Sequence, residues 1–546
     1  MQYTKEQRDA IKLHNRNLLV AAAAGSGKTA VLAERILHRI TDGEKPADID
    51  RLLVVTFTKA AASEMRERIG ILLEKRLRET PENEHLQKQS ALLHNAKIMT
   101  IDSFCQSVLR NHFELADLDP AFRVADENEI RLIREDILEE LLEERFADGG
   151  ESFLMFADAY QGKGKDGRIE NSILDLYTYT SGFPWPEDYL ALCVSNYEAG
   201  TPEQLEQAPW MQELLSEIQE RLGELASHIE AAKSICGEPD GPLAYEKALF
   251  SDADAIAALR KETTYDGYHK ALREVKKEAL ARIKSGSCDD GKKQRVMNIR
   301  KKVYAELDKL TTQDIVLSAS ELCELLLACR PAVQTLVELV REFTVRFRAK
   351  KRELNIVDFS DLEHEALYLF LEKKEDGTLV PTQTALAYRE EFEEILIDEY
   401  QDSNMVQELL LGSISKEDEG SPNRFMVGDV KQSIYRFRLA RPEIFLEKYA
   451  RYSQEDSAYQ RIDLHKNFRS RKEVLSCVNE ICGRLMRREI GHIVYDDAAA
   501  LYPGAQFSED DAGSAGTVQE METAVKESQY PDRTPDAERF PSPPAH

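Results

Sequence analysis

Over residues 1–113, short apolar runs alternate with stretches of helical period. Asn17-Leu18-Leu19-Val20-Ala21, Leu52-Leu53-Val54-Val55 and Ile98-Met99-Thr100-Ile101 are continuous apolar runs, as expected of strands buried on both faces of a parallel sheet. Ala30–Ile40 reads as a crossover helix, so this region is an α/β fold. From 114 to 384 the texture changes. Asp126-Glu127-Asn128-Glu129 has the form of a capping box, and Ile130, Ile133, Ile137, Leu138, Leu141 and Leu142 follow at helical spacing. Helical patterns also fill 205–233, 268–284 and 318–352, with polar breaks at 161–168 and 285–294. Strand texture returns at Glu394-Ile395-Leu396-Ile397, Arg424-Phe425-Met426-Val427 and Arg461-Ile462-Asp463-Leu464. From residue 504 the chain is polar and rich in Pro, Ser and Glu. Such a segment buries too little apolar surface to fold, which predicts a disordered tail at 504–546.

At 546 residues the chain exceeds one hydrophobic core, so roughly two to four domains are expected. No apolar run reaches the ~18 residues of a membrane span, and Met1–Gln7 has no apolar stretch to serve as a signal peptide. The cysteines (Cys105, Cys193, Cys236, Cys288, Cys323, Cys329, Cys477, Cys482) are scattered without a Cys-x-x-Cys pair. Neither a zinc site nor a disulfide framework is expected, and the compartment reads as cytosolic. A net charge of −27 excludes a generally basic, nucleic-acid-coating surface. Any strand would have to be held in a narrow channel by stacking and a few polar contacts, with strong salt sensitivity.

Two segments carry phosphate chemistry. Ala21-Ala22-Ala23-Ala24-Gly25-Ser26-Gly27-Lys28-Thr29 follows a predicted strand and opens a predicted helix, with Ala21 read as the alanine of an A-x-x-x-x-G-K-T loop. In such a P-loop, backbone N–H groups cradle phosphates, Lys28 neutralises them and Thr29 ligates Mg²⁺. Ile395-Leu396-Ile397-Asp398-Glu399 is a buried strand ending in two acids, where α/β sheets place their ligands. Asp398 would hold the metal and Glu399 would polarise an attacking water. Alone, an Asp-Glu after an apolar strand is more often a helix cap; beside a P-loop the catalytic reading prevails.

Asp398-Glu399-Tyr400-Gln401-Asp402 resembles the D-E-x-Q-D signature of UvrD/Rep-type superfamily-1 DNA helicases, and other segments fit in order. Tyr3-Thr4-Lys5-Glu6-Gln7 resembles the Q motif; Thr56-Phe57-Thr58 with Ala60–Ile69, motif Ia; Thr100-Ile101-Asp102-Ser103-Phe104, motif Ib. Val427–Arg438 resembles motif III and Asn467-Phe468-Arg469-Ser470 motif IV. Within the superfamily, Gly27–Leu32 with Glu34-Arg35-Ile36, Asp102, Asp358-Phe359-Ser360-Asp361-Leu362 and Arg438-Leu439-Ala440-Arg441-Pro442 resemble the AddA branch of AddAB (RecBCD-like) helicase–nucleases. The resemblance implies a RecA-like P-loop sheet domain from 1–113 plus 385–455 and an α-helical insertion domain at 114–384. An incomplete second RecA-like domain would begin at 456–503. It implies ATP and Mg²⁺ as cofactors, single- and double-stranded DNA as partners, an AddB-like nuclease subunit, and a role in double-strand break repair and recombination.

Residue roles follow from the same resemblance. Gln7 would read the adenine edge, Phe468 would stack on adenine, Gln432 would sense the γ-phosphate and Arg469 would act as an arginine finger. Thr56, Phe57, Thr58, Thr100, Ser103, Phe104, Tyr435, Phe437 and Arg438 would contact the strand, the aromatics by stacking. A lone phenylalanine in such a place is otherwise an ordinary core residue. Ala30 replaces an arginine and Asp102 a histidine common in UvrD-type enzymes, so position 102 is not counted among the strand contacts. The basic runs Lys292–Arg295, Arg300–Lys302 and Arg346–Arg352 read as solvated helix faces rather than duplex contacts.

Motifs V and VI and a nuclease motif are not identifiable, so the sequence reads as cut short before its second motor domain is complete, and as unable to unwind DNA alone. Two rivals stand beside the helicase reading. A different P-loop enzyme would lack stimulation by single strands; a non-catalytic nucleotide-binding remnant would bind ATP without turnover.

Overall fold

The computed structural model describes residues 3–41, 46–160, 168–284, 286–486, 495–505 and 507. By contacts it divides into two compact units, 1–122 with 357–546, and 123–356.

The first unit is built on one parallel sheet of β1 (Asn17–Ala22), β2 (Leu52–Thr56), β3 (Lys97–Thr100), β4 (Glu394–Ile397), β5 (Arg424–Gly428) and β6 (Tyr459–Leu464). The spatial order is β6-β1-β5-β4-β2-β3. Leu18 and Val20 of β1, Val54 of β2, Leu396 of β4 and Phe425 of β5 are buried together with Val31, Ile36 and Ile40 of the helix Lys28–Thr41 and Met65 and Ile69 of the helix Lys59–Glu79. The strands run in one direction, so the loops after β1, β4 and β5 emerge at the same edge, where open α/β sheets bind ligands.

Three boundaries differ from the sequence reading, the first being that residues 114–122, expected to open the helical insertion, stay with the sheet unit. Arg461-Ile462-Asp463-Leu464, expected to open a second domain, belongs to β6, the edge strand of this sheet, in register with β1 from Asn17↔Tyr459 to Ala22↔Leu464. Its alternate residues Gln460, Ile462 and Leu464 are buried, the period-2 pattern of a strand with one face on a core. The helical insertion also ends earlier than residue 384. The helix Phe359–Phe370 packs on the helix Ile101–Asn111, where Phe104, Phe370, Tyr388 and Phe392 form an aromatic cluster with ring centroids 5.2–6.4 Å apart. Those rings keep 357–384 with the sheet unit.

The second unit is helical, with the long helices Glu127–Asp148, Pro209–Gly237, Asp290–Lys309 and Ala319–Glu353. Only half of the expected capping box forms. The Asp126 carboxylate accepts from the N–H groups of Asn128 and Glu129, while the Glu129 carboxylate turns to Arg123. The helix expected across 268–284 stops at Glu274. Beyond it Val275, Leu280 and Ile283 pack on the unit's core and the Glu278 carbonyl accepts from Arg300, so tertiary contacts override local helix propensity. Arg300 is no solvated residue either: it is 3% exposed and paired with Asp252 at 2.5 Å. Arg346 pairs with Glu144 and Glu342. Of the polar breaks, 161–167 lies outside the described residues, and the second ends early where Asp289 caps the helix at Asp290. Nearly all of the predicted tail, 508–546, also lies outside them. Among the described residues no helix is long and apolar enough to cross a membrane.

Candidate functional site

The loop after β1 has the shape a P-loop requires. Gly25 and Gly27 have φ of +69° and +85°, a region that side chains with a Cβ resist. Ala22, not Ala21, stands five positions before Gly27, and both alanines are still paired within the sheet, Ala21 to Gly428 and Asp463 and Ala22 to Leu464. Lys28 opens the helix Lys28–Thr41 and Thr29 follows in its first turn. The helix N-terminus offers free N–H groups and a positive dipole end to an anion. The hydroxyl of Ser26, buried in the loop, has no hydrogen-bond partner among the described residues. A buried polar atom of this kind fits a ligand oxygen.

β4 delivers the acids to the same edge. Lys28 Nζ lies 3.0 Å from Glu399 Oε2. Glu399 is in the left-handed region (φ 50°, ψ 44°), rare for a residue with a side chain and often found at functional sites. Burial, then the charge of Glu399, pushes the Asp398 carboxyl up to about 6, with Lys28 opposing. Burial likewise pushes Asp402 up to about 6, against a hydrogen bond from Ser433. Among the described residues no three acidic, histidine or cysteine side chains converge to cage a metal. A hydroxyl and a carboxylate short of positive charge suit Mg²⁺, which keeps water and phosphate oxygens as its other ligands.

Beside the loop, Thr4, Gln7, Ser26, Ile462, Leu464 and Phe468 line a cavity of about 420 Å³. Thr4 and Gln7 form a true capping box at the start of the helix Lys5–Lys12, and Gln7 Nε2 donates to the Ser26 carbonyl at 2.9 Å. Phe468 reaches the cavity because Asn467 clips its segment to the P-loop. Asn467 Nδ2 donates to the Ala24 carbonyl (2.7 Å), and the Phe468 N–H donates to the Gly25 carbonyl (2.9 Å). A Cβ on Gly25 would stand 2.5 Å from the Asn467 amide, so only glycine fits there. Asn467 Oδ1 also accepts from the N–H groups of Arg469 and Ser470, which shapes the turn that leaves the Arg469 side chain exposed. The sequence reading assigned Asn467 and Gln401 no role, although both stand inside recognisable motifs.

A third group gathers after β2 and β5. Phe57 and Tyr435 have ring centroids 4.5 Å apart, and Tyr435 and Phe437 5.9 Å. The Arg438 guanidinium lies over both Tyr435 and Phe437, and Phe437 is 76% exposed. The threonines nearby are turned to backbone work. Thr56 Oγ1 donates to the Thr58 carbonyl, Thr58 caps the helix Lys59–Glu79, and Thr100 caps the helix Ile101–Asn111 and bonds Ser103 Oγ at 2.9 Å. Phe104 does not belong to this surface. It is 1% exposed inside the aromatic cluster of the fold and has no face to offer a base. Gln432 is exposed on the turn between the two groups, its amide donating to Asp429 at 2.7 Å.

With this geometry in place, residues 3–453 match the UvrD/REP helicase N-terminal domain. The chain belongs to the UvrD/REP helicase family. Among curated relatives it is 47% identical over 512 residues to an ATP-dependent helicase/nuclease subunit of Lachnoclostridium phytofermentans, covering 93% of this chain and 37% of that protein. Proteins of the same description from Clostridium perfringens and Geobacillus thermodenitrificans are each 42% identical over 93% of the chain, which covers 40% and 41% of their lengths. The chain thus spans about two-fifths of the relatives it matches. The UvrD/REP helicase match takes in the P-loop, Asp398-Glu399 and the group of Phe57, Tyr435 and Phe437.

Proposed function

We propose that this chain is the ATP-hydrolysing part of a DNA helicase motor of the AddA kind, coupling ATP turnover to movement on single-stranded DNA during double-strand break repair. The observation that carries the reading is the convergence of Lys28, Glu399 and the Asn467-clipped P-loop at one sheet edge, with the tilted rings of Phe57, Tyr435 and the exposed Phe437 on the adjoining turns. Gln7 and Phe468 would take the adenine in the cavity. The backbone of 24–28 and Lys28 would take the phosphates, and Arg469 would reach the γ-phosphate. Thr29 and Asp398 are the residues that would hold Mg²⁺, whose charge offsets that of the phosphate oxygens. Glu399 would accept a proton from the attacking water once the triphosphate draws Lys28 away from it. Phe57, Tyr435, Phe437 and Arg438 would hold the strand, and Gln432 would link it to the phosphate side. An AddB-like nuclease subunit would be the protein partner.

ATP hydrolysis by the purified chain, measured with and without oligo-dT, tests the reading. Stimulation by single strands supports it. Tight ATP binding with no stimulated turnover would favour the non-catalytic alternative.

A further inference from the structure

Gln401 stands where the hydrolysis and strand groups meet, and it is 2% exposed. Its Nε2 donates to Glu399 Oε2 at 2.9 Å and to Asp402 Oδ2 at 3.1 Å. Its Oε1 accepts the N–H of Asp429 at 2.9 Å. Asp429 in turn accepts from Gln432 Nε2 at 2.7 Å and pairs with Lys431 at 2.8 Å, at the head of the turn that carries Tyr435 and Phe437. One buried amide therefore connects the carboxylate facing Lys28 to the segment bearing Tyr435 and the exposed Phe437.

The close packing of β4 and β5 enforces the connection. A Cβ on Gly428 would lie 2.3 Å from Gln401 Oε1 and 3.1 Å from its backbone nitrogen, so the two strand ends approach closely only over glycine. A primary amide is the neutral side chain that both donates to carboxylates and accepts a backbone N–H at this length. Glutamate would keep the acceptor and lose both donors. Methionine would keep the volume and lose everything polar.

We infer that Gln401 is a positioning residue: it aims the Glu399 carboxylate and ties that aim to the turn after β5, so that strand binding acts on hydrolysis through it. The inference rests on the proposed ATPase reading. Its chemistry is geometric, since a carboxylate free to swing by about 1 Å loses roughly 10²-fold in rate.

The test uses the 546-residue chain and its Gln401→Met and Gln401→Glu variants, with the thermal transition recorded for each. Steady-state and single-turnover ATP hydrolysis are measured with and without oligo-dT, together with ATP affinity from a fluorescent analogue. Both variants should lower kcat by about 10²-fold with KM for ATP unchanged. Gln401→Glu retains the bond to Asp429 and should keep part of the stimulation by oligo-dT, whereas Gln401→Met should lose it. Variants with wild-type kcat and stimulation would overturn the inference while leaving the ATPase reading intact. A rise in KM equal to the fall in kcat would assign Gln401 to general folding of the site and overturn it too. A wild-type chain that binds no ATP would sink the underlying reading first.

Discussion

On the proposed nucleotide side of the sheet unit, Gln7, Ser26, Gln401 and Asn467 are buried, and all but Ser26 direct their side-chain polar atoms to backbone groups or to the carboxylates of Glu399 and Asp402. On the proposed strand side, Phe57, Tyr435 and Phe437 meet as tilted rings with the Arg438 guanidinium over two of them, and Phe437 and Ile434 project into solvent. The first arrangement is rigid, because each hydrogen bond fixes both a distance and a direction. The second is adaptable, because stacking tolerates any base with a π-face. Triphosphate chemistry tolerates little displacement, whereas a motor stepping along a strand must release and regrip every base. Substitutions should therefore act steeply on one side and gradually on the other.

The steepest expected effect is at Lys28. Lys28→Ala removes the cation that a triphosphate meets at the loop, and no other described lysine or arginine pairs with Glu399. Titration with a fluorescent ATP analogue should show binding abolished; unchanged affinity would remove the P-loop assignment. Glu399→Gln should separate binding from chemistry. The carboxamide cannot take the proton of the attacking water, so turnover should fall by about 10²–10⁴-fold while ATP affinity is kept. If this variant binds ATP as poorly as Lys28→Ala, the carboxylate holds the loop rather than the water.

Tyr435→Ala and Phe437→Ala probe the gradual side. Each should weaken single-strand binding by about 1–3 kcal/mol, with little change in ATP affinity. Fluorescence anisotropy with oligo-dT measures the first effect, and the nucleotide titration checks the second. Because Phe437 is 76% exposed, its removal should leave the thermal transition in place. A collapsed transition in both variants would make these rings core residues and erase the contrast between the two sides.

How much of this was legible in the sequence follows the same division. Five of the six sheet strands, the P-loop and the acidic strand end are local patterns, and contiguous residues carry them. Membership of β6 was not legible, because Arg461–Leu464 reads as a strand whichever sheet accepts it; only its pairing with β1 decides. Phe104 misled for a related reason. Its place beside Ser103 fits a strand-contact motif, yet the helix turns its ring toward Phe370, Tyr388 and Phe392, which lie more than 260 residues away. Arg300 looked like one of several surface cations until Asp252, on a helix 48 positions earlier, proved to be its buried partner. The positioning amides Gln401 and Asn467 were in plain view as letters, but an amide's role lies in what it reaches.

The smallest effect concerns Asp102, which lies between the proposed strand contacts Thr100 and Ser103 and stands where many UvrD-type enzymes have a histidine. It lies in the first turn of the helix Ile101–Asn111. Burial, and then the negative charge of Glu363, pushes its carboxyl up to about 6, with Lys59 pulling the other way. Glu363 is held in place by the side-chain amides of Asn404 (2.9 Å) and Gln407 (2.6 Å), so the two acids are kept near each other. The folded pKa lies above the ordinary value of 3.8, so the folded chain binds this proton more tightly than the unfolded one. Its contribution to stability is fully present below pH ~4 and is lost as pH rises through about 6. Above that, the ionised carboxylate is a destabilising element. Asp102→Asn removes the charge and keeps the shape, so it should stabilise the chain by about 1 kcal/mol at pH 7.5, the full shift being discounted for partial exposure. The gain should fade as the pH is lowered toward 4, where wild-type Asp102 is itself protonated. Thermal melts of both proteins at pH 7.5, 6 and 4.5 measure it. A variant less stable than wild type at pH 7.5 would mean that the carboxylate is held by a favourable partner, and the strand side would then contain a fixed polar contact of the kind found on the nucleotide side.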